Sequence, residues 1–466
     1  MTYKLIKNDM FVSYNEVDTI DLLYKPSKIN NKNIIYADYI ASGQPSPFVE
    51  NYLINEIYPY YANTHSNAHN GIYMKKLINE TKQYIKSTLN LSDSYYILFT
   101  GNGTTGAINH LVNLIEYSKY NKVIIYLSLY EHYSNHLPWV ELTKTNKNII
   151  VEYIPMKDDL IDLDSLDVSL NNLYKYVQNE KANNKTLVIC SITACSNVTG
   201  LIMPVNKIKN ILDKYENNQY FHKYFFSDYA CSAPYVKIDG SLFDSFFFSP
   251  HKFIGGIETP GVLIAKKCLF TKLKPFCAGG GCVIRANSTS IEYEDDIEKR
   301  ESAGSPNIVG IIKIKKIFEL KNQYQNIINN NEKILTKLIK QKIKEFSSKY
   351  PDFISVMNID DIKLDYLPIF SFHLKNVHYN FIVVLLNDLF GIQTRGGIAC
   401  CGLLAEYTEK KYGYRCWCRV SFHWTMSKKT INYIFDSIEY VIKNANKHID
   451  NYIYDKKQNL FFSKLS

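Results

Sequence analysis

No stretch of this chain is apolar for long enough to cross a bilayer as a helix. The longest purely apolar runs, such as FIVVLL at 381–386, fall far short of the roughly 20 residues such a helix needs. The opening MTYKLIKNDMFVSYNEVD has no apolar core and carries acids early, so it does not read as a secretory leader. Arginine-rich stripes and long basic runs are missing too. Lys plus Arg number 54 against 45 Asp plus Glu, an excess of +9 diluted over 466 residues, so neither a nucleic-acid nor a membrane partner is expected. There is no internal repeat. The C-C at 400–401 and C-x-C at 416–418 lack the C-x₂₋₄-C spacing usual for zinc, and no metal is expected.

What is present describes a folded chain. Hydrophobic residues make up 46% and charged ones 21%, which excludes wholesale disorder, and the length suggests two or three domains. Asn, Lys, Ile and Tyr are frequent in every segment, a coding bias that says nothing about function. Ten cysteines in a long chain without a leader imply free thiols in a reducing compartment, the cytoplasm.

From about residue 34 to 265 apolar β-rich runs alternate with helical stretches. The runs are 95–100, 122–128, 148–154, 186–192, 224–228, 243–249 and 261–266. Near-continuous apolar strands between helices predict an α/β fold with a mainly parallel sheet sandwiched by helices. A Gly-rich stretch (277–281) and an acidic patch (292–302) interrupt the pattern, and a long Lys/Ile helical region follows AGSPN at 303–307. The expected division is an N-terminal segment 1–35 packing on the small domain, a large domain 36–310 and a smaller α+β domain 311–466. The tail KKQNLFFSKLS reads as peripheral.

Four places can carry chemistry. FTGNGTTGAIN (99–109) is a strand, a Gly-rich turn and a helix start, where N–H groups and the hydroxyls of Thr104 and Thr105 suit a phosphate. Its glycines also satisfy G-x-G-x-x-G, but a dinucleotide site wants an acid at the end of the next strand, and Glu131 lies beyond it. FFSDYA and FFFSPHKF set Asp228 and Lys252 at strand C-termini, which face one crevice in a parallel sheet. Such a lysine can form a Schiff base, and such an acid can hold a pyridinium nitrogen protonated. In QTRGGIACCG, Cys400 follows a Gly-Gly loop near Arg395, whose guanidinium favours thiolate. Arg419 in CWCRVSF suits bidentate carboxylate binding. Taken singly, each also has a bland reading as a turn, a surface or capping residue, or a buried thiol.

As an ordered series from YADYIASGQP (36–45) to RVSFHWTMSKKTINYI (419–434), these motifs resemble the class V aminotransferases. These are fold-type I enzymes of pyridoxal 5'-phosphate (PLP), and the cysteine desulfurase/selenocysteine lyase branch is the most similar. The resemblance implies that Lys252 bonds the cofactor and that Ser249, His251, Thr104 and Thr105 hold its phosphate. It assigns Asp228 to the pyridine nitrogen, His132 to stacking on the ring, and Asn197 to the ring hydroxyl. Ser305 in AGSPN would reach the partner subunit's phosphate, implying a homodimer. Arg419, with Arg395, would bind the substrate carboxylate, and Cys400 would accept sulfur from cysteine, leaving alanine and passing the sulfur on to an acceptor protein. The chain departs from the family's Arg-x-Gly-His-His-Cys with RGGIAC, has Cys231 after Ala230 where Gln is common, and has Gly106 where Glu is usual. A class V aminotransferase or lyase acting on another amino acid, with Cys400 not catalytic, is the alternative reading.

Overall fold

The computed structural model describes residues 11, 13–19, 22–29, 32–179, 185–356 and 364–464. The chain forms two compact units: residues 43–194 with 203–322, and residues 1–42, 195–202 and 323–466. The boundary expected at 310/311 therefore lies at 322/323, inside a single long helix. A short excursion at 195–202 also belongs to the smaller unit.

The larger unit is built on a seven-stranded sheet. Its strands are β1 (Tyr95–Thr100), β2 (Lys122–Leu127), β3 (Ile149–Tyr153), β4 (Thr186–Thr193), β5 (Phe221–Asp228), β6 (Ser245–Phe248) and β7 (Gly261–Lys266), in the spatial order β1-β7-β6-β5-β4-β2-β3. β7 runs antiparallel to both neighbours, and every other pairing is parallel. β4 and β6 are buried at every position, as strands covered on both faces must be. The helices are α1 (His69–Thr88), α2 (Gly103–Leu114), α3 (Tyr133–Thr145), α4 (Leu163–Asn179) and α5 (Val205–Asp213). One layer of core joins Ile108 and Leu111 of α2 and Trp139 of α3 to Leu98, Ile125, Ile189, Phe226, Phe247 and Leu263 of the sheet.

The long Lys/Ile region forms α6 (Ile308–Lys349), which both units share. The smaller unit's sheet consists of β8 (Phe353–Ser355), β9 (Ile369–Leu374), β10 (Arg395–Gly397) and β11 (Trp417–Ser421), ordered β8-β9-β11-β10 and antiparallel throughout. With it go α7 (Tyr379–Phe390), α8 (Gly402–Tyr412) and α9 (Lys428–Asn444). α9 shows why such a segment folds: Ser427 caps it through Thr430 N, and Ile431, Ile434, Phe435, Ile438 and Val441 bury one face at helical spacing. The N-terminal segment is tied in by Tyr14, whose hydroxyl donates to Met426 O at 2.7 Å. Residues 1–10 lie outside the described ones.

The tail forms a surface hairpin whose residues 456–464 are exposed or half-buried. Its strand β13 (Leu460–Ser463) pairs with β12 (Tyr452–Asp455), and the Phe461 ring packs on Phe381 of α7 at 4.9 Å. Of its two phenylalanines Phe461 finds apolar cover on α7, while Phe462, on the other face of the strand, stays 47% exposed.

Candidate active site

In the larger unit β5 ends in Asp228, and β6 runs out through Ser249, Pro250 and His251 to Lys252. Asp228 pairs in parallel register with Thr193 on one side and Phe247 on the other, so these chain ends share one edge of the sheet. Asp228 is 2% exposed, and its Oδ1 accepts from Ala230 N at 2.8 Å. Burial pushes its carboxyl up to about 6, against the pull of that N–H and of the Lys252 ammonium. The same ammonium, after burial, drives the His251 imidazole down to about 4, which leaves it neutral at pH 7.

The turn after β1 meets this edge. α2 starts at Gly103 with φ +57°, where a Cβ would stand 2.8 Å from Ser249 Oγ and 3.0 Å from His251 Cε1. Only glycine permits both the conformation and the approach. Thr104 N donates to Ser249 Oγ (2.9 Å), which in turn donates to Thr104 Oγ1 (3.2 Å). Thr105 Oγ1 and Ser134 Oγ are hydrogen-bonded at 2.7 Å. His132 caps α3 by accepting from Ser134 N through Nδ1 at 3.1 Å, which puts its proton on Nε2. Thr104, Thr105, Ser249, His251 and His132 thus surround one helix N-terminus, beside Asp228 and Lys252. Ser305 has a different neighbourhood. It is exposed and accepts from Asn63 Nδ2 at 3.2 Å, next to Gly304 N, which donates to Gly280 O at 2.7 Å.

The smaller unit carries Arg419, Arg395, Asn197 and Cys400. Arg419 lies on β11 and is 2% exposed. Its Nη2 donates to Asp38 Oδ1 at 2.6 Å and its Nη1 to Asn197 O at 2.9 Å, while its Nε is buried without a hydrogen bond. A buried guanidinium with a spare donor fits an anionic ligand group. Arg395, directly opposite on β10, donates from Nε to the other carboxylate oxygen, Asp38 Oδ2, at 3.0 Å. One aspartate therefore bridges both arginines. Beyond β10 the chain passes through Ala399 (φ +50°) and Cys400 (φ +58°), consecutive residues in the left-handed region that cost about 1 kcal/mol each. Cys400 is exposed and Cys401 is fully buried, which singles out Cys400 as the accessible thiol of the pair.

A family model of aminotransferase class V matches residues 35–434. The chain belongs to that family. Class V aminotransferases are PLP-dependent enzymes, and this chain's fold is theirs: it superposes on the apo structure of a cysteine desulfurase from Thermococcus onnurineus with a TM-score of 0.74, at 21% identity over 88% of this chain and 95% of that one. In sequence it is 31% identical over 391 residues to a "Cysteine desulfurase" of Wigglesworthia glossinidia brevipalpis, covering 80% of this chain and 85% of the relative. It is 29% identical over 428 residues to a "Probable cysteine desulfurase" of Borreliella burgdorferi, covering 89% and 93%.

Three residues of this class V chain have a larger part than their sequence motifs suggested. Asp38, in YADYIAS, bridges the two arginines, so Arg395 is committed to a carboxylate. Glu131, in the connection between β2 and α3, is fully buried against the end of β4, accepting from Ser128 Oγ (2.6 Å), Asn135 Nδ2 (2.6 Å) and Thr193 N (2.9 Å). Burial pushes its carboxyl up to about 8 against those three donors. So placed, it cannot reach a nucleotide ribose, which removes the dinucleotide reading of GNGTTG. Asn197, expected at a ring hydroxyl, turns both ends of its amide to the thiol loop: Nδ2 donates to Ala399 O at 2.9 Å, and Oδ1 accepts from Cys401 Sγ at 2.8 Å. The signal for Asp38 was a carboxylate inside the largely apolar YADYIAS, which only burial distinguishes from a surface acid; Glu131, in a polar-aromatic string, had none. Among the described residues no cluster of His, Cys, Asp or Glu could hold a metal, and no helix is long and apolar enough to cross a membrane.

Proposed function

We propose that this chain is a cysteine desulfurase, taking sulfur from L-cysteine onto Cys400 and releasing alanine. The observation that carries the reading is the pairing of an exposed Cys400 on a constrained turn with a buried, incompletely bonded Arg419 in the same unit. The relatives named cysteine desulfurase support it.

The larger unit's residues fit pyridoxal phosphate. A neutral His251, the hydroxyls of Thr104, Thr105 and Ser249, and the N-terminus of α2 suit the phosphate, with the Gly103 approach keeping the cradle free of a side chain. The Asp228 carboxyl, buried beside Lys252, suits a protonated ring nitrogen, and Lys252 supplies the amine that holds the cofactor. When bound, the cofactor supplies a sink for the electrons released at the amino acid's Cα. Arg419 pairs with the substrate carboxylate and orients it. Lys252 moves the Cα proton, and such positioned proton transfer contributes about 10²–10⁴-fold. The Cys400 thiolate attacks the substrate sulfur. A Cys400–sulfur bond forms, the substrate C–S bond breaks, and the carbon that keeps the electron pair takes a proton to become alanine. Cys400 is left as a persulfide for an acceptor protein to relieve. Ser305 and its exposed neighbours complete the partner subunit's phosphate site in a homodimer.

The test uses the purified full chain. Cys400→Ala retains the yellow cofactor and loses sulfide and alanine formation from cysteine, whereas Lys252→Ala loses the covalent cofactor. Undiminished sulfide from Cys400→Ala, or an oxo acid in place of alanine, refutes the reading and favours a transaminase or lyase with an incidental Cys400.

A further inference from the structure

The pair of thiols at 400–401 is unusual in that its members have opposite environments. Cys400 is exposed, while Cys401, at the N-cap of α8, is buried to 0% exposure with its Sγ 2.8 Å from Asn197 Oδ1. The same Asn197 donates from Nδ2 to Ala399 O at 2.9 Å. One amide thus grips the residues on both sides of Cys400, and the thiol–carbonyl contact fixes which way that amide faces. The backbone between the two grips is held in the left-handed region at both Ala399 and Cys400, where non-glycine residues do not rest unaided. Asn197 is itself anchored, because its carbonyl accepts from Arg419 Nη1 at 2.9 Å.

We propose that Cys401 is a positioning residue, whose thiol latches the Cys400 turn to Asn197 and so sets the presentation of the reactive sulfur. The inference rests on the reading of Cys400 as the sulfur acceptor and adds a second thiol that takes no sulfur. A buried thiol hydrogen-bonded at this distance is not a nucleophile in waiting. Its use is to donate one hydrogen bond in the right direction from a fully buried position. Through Asn197 the latch also joins the thiol turn to the carboxylate-binding arginine by a continuous chain of hydrogen bonds: Cys401 to Asn197, Asn197 to Arg419, and Arg419 to Asp38.

The experiment separates the hydrogen bond from the volume. Cys401→Ser keeps a donor for Asn197 Oδ1, whereas Cys401→Val keeps apolar bulk without one and Cys401→Ala keeps neither. Backbone hydrogen exchange of peptides spanning 395–402, followed by mass spectrometry on the cofactor-free full chain, reads the turn directly. Exchange is expected to quicken about fivefold in Cys401→Ala and Cys401→Val, the change in local opening that one ordinary hydrogen bond makes, and to stay at the wild-type rate in Cys401→Ser. In the loaded enzyme the Ala and Val variants are expected to lose kcat for alanine formation with KM unchanged, and Ser to restore it. Wild-type exchange in all three variants, or rescue by Val and not by Ser, overturns the latch. The expected exchange pattern in a protein that forms no alanine upholds the latch and removes the desulfurase reading instead.

Discussion

Removing Asp38 tests the central arrangement of the smaller unit most sharply. Its two oxygens stand 2.6 Å from Arg419 Nη2 and 3.0 Å from Arg395 Nε. The Arg419 side chain is 2% exposed and Arg395 46%, so the two halves of the bridge differ in worth. A half-exposed pair contributes roughly 0–1 kcal/mol. A buried pair with one partner deleted leaves a charge in low dielectric and costs about 3–5 kcal/mol. Asp38→Ala should therefore destabilise the smaller unit by about 3 kcal/mol, with little dependence on salt because the pair is shielded from solvent. Arg419→Met should cost less, since the remaining Asp38 keeps Arg395 and is nearer to water. The double variant should be more stable than the sum of the single losses by about 2 kcal/mol, the coupling expected of neighbours. Urea unfolding followed by tryptophan fluorescence suits the measurement, because two of the three tryptophans, Trp417 and Trp424, belong to the smaller unit. If Asp38→Ala unfolds within 0.5 kcal/mol of wild type, or the two losses simply add, the bridge is not what holds Arg419 in place and the reasoning fails.

In the larger unit, Gly103→Ala forces a φ of +57° on a residue whose Cβ meets Ser249 Oγ at 2.8 Å. It should lose phosphate-dependent cofactor retention with a loss of about 1–3 kcal/mol in stability, read by dialysis and urea midpoint. Asp228 titrates near 6 in the fold against an ordinary 3.8. Its raised value contributes stability that is fully present below about 3.8 and lost as pH rises through about 6. In the cofactor-free chain, wild type should thus lose up to about 3 kcal/mol relative to Asp228→Asn between pH 4 and 7. A flat difference between the two unfolding curves would refute it. Glu131→Gln places an NH₂ against donors from Ser128, Asn135 and Thr193. Because burial raises the Glu131 carboxyl to about 8, wild type should lose stability relative to Glu131→Gln as pH rises from about 4.5 toward 8, where an inert surface acid would show no pH-dependent difference.

How much of this was readable from the chain depends on the kind of interaction. The sheet was legible because its strands are apolar along their whole length: 95–100 and 261–266 match the observed strands end to end, and the other five differ by one to three residues at an end. Burial on both faces writes itself into every position of such a strand. The motif residues of the larger unit were legible for a related reason, since the ends of adjacent parallel strands meet whatever their separation in sequence. Thr104, just past Gly103, reaches Ser249 across 145 positions because β1 and β6 both flank β7.

The smaller unit hid its logic because its decisive contacts are polar and long-range. Asp38 reaches Arg419 over 381 positions, and Asn197 reaches Cys401 over 204. No periodicity announces either contact, because a single polar side chain carries no pattern and its partner is fixed only once the backbone is folded. Arg395 shows the same limit: its place in RGGIAC suggested no partner beyond the loop, whereas antiparallel pairing sets it opposite Arg419 and its Nε donates to Asp38. Two like charges so close require a shared counterion, and Asp38 is that group. The need for it follows from the register alone, so a sequence reading that had paired β10 with β11 would have had to look for a carboxylate and would have found it in YADYIAS.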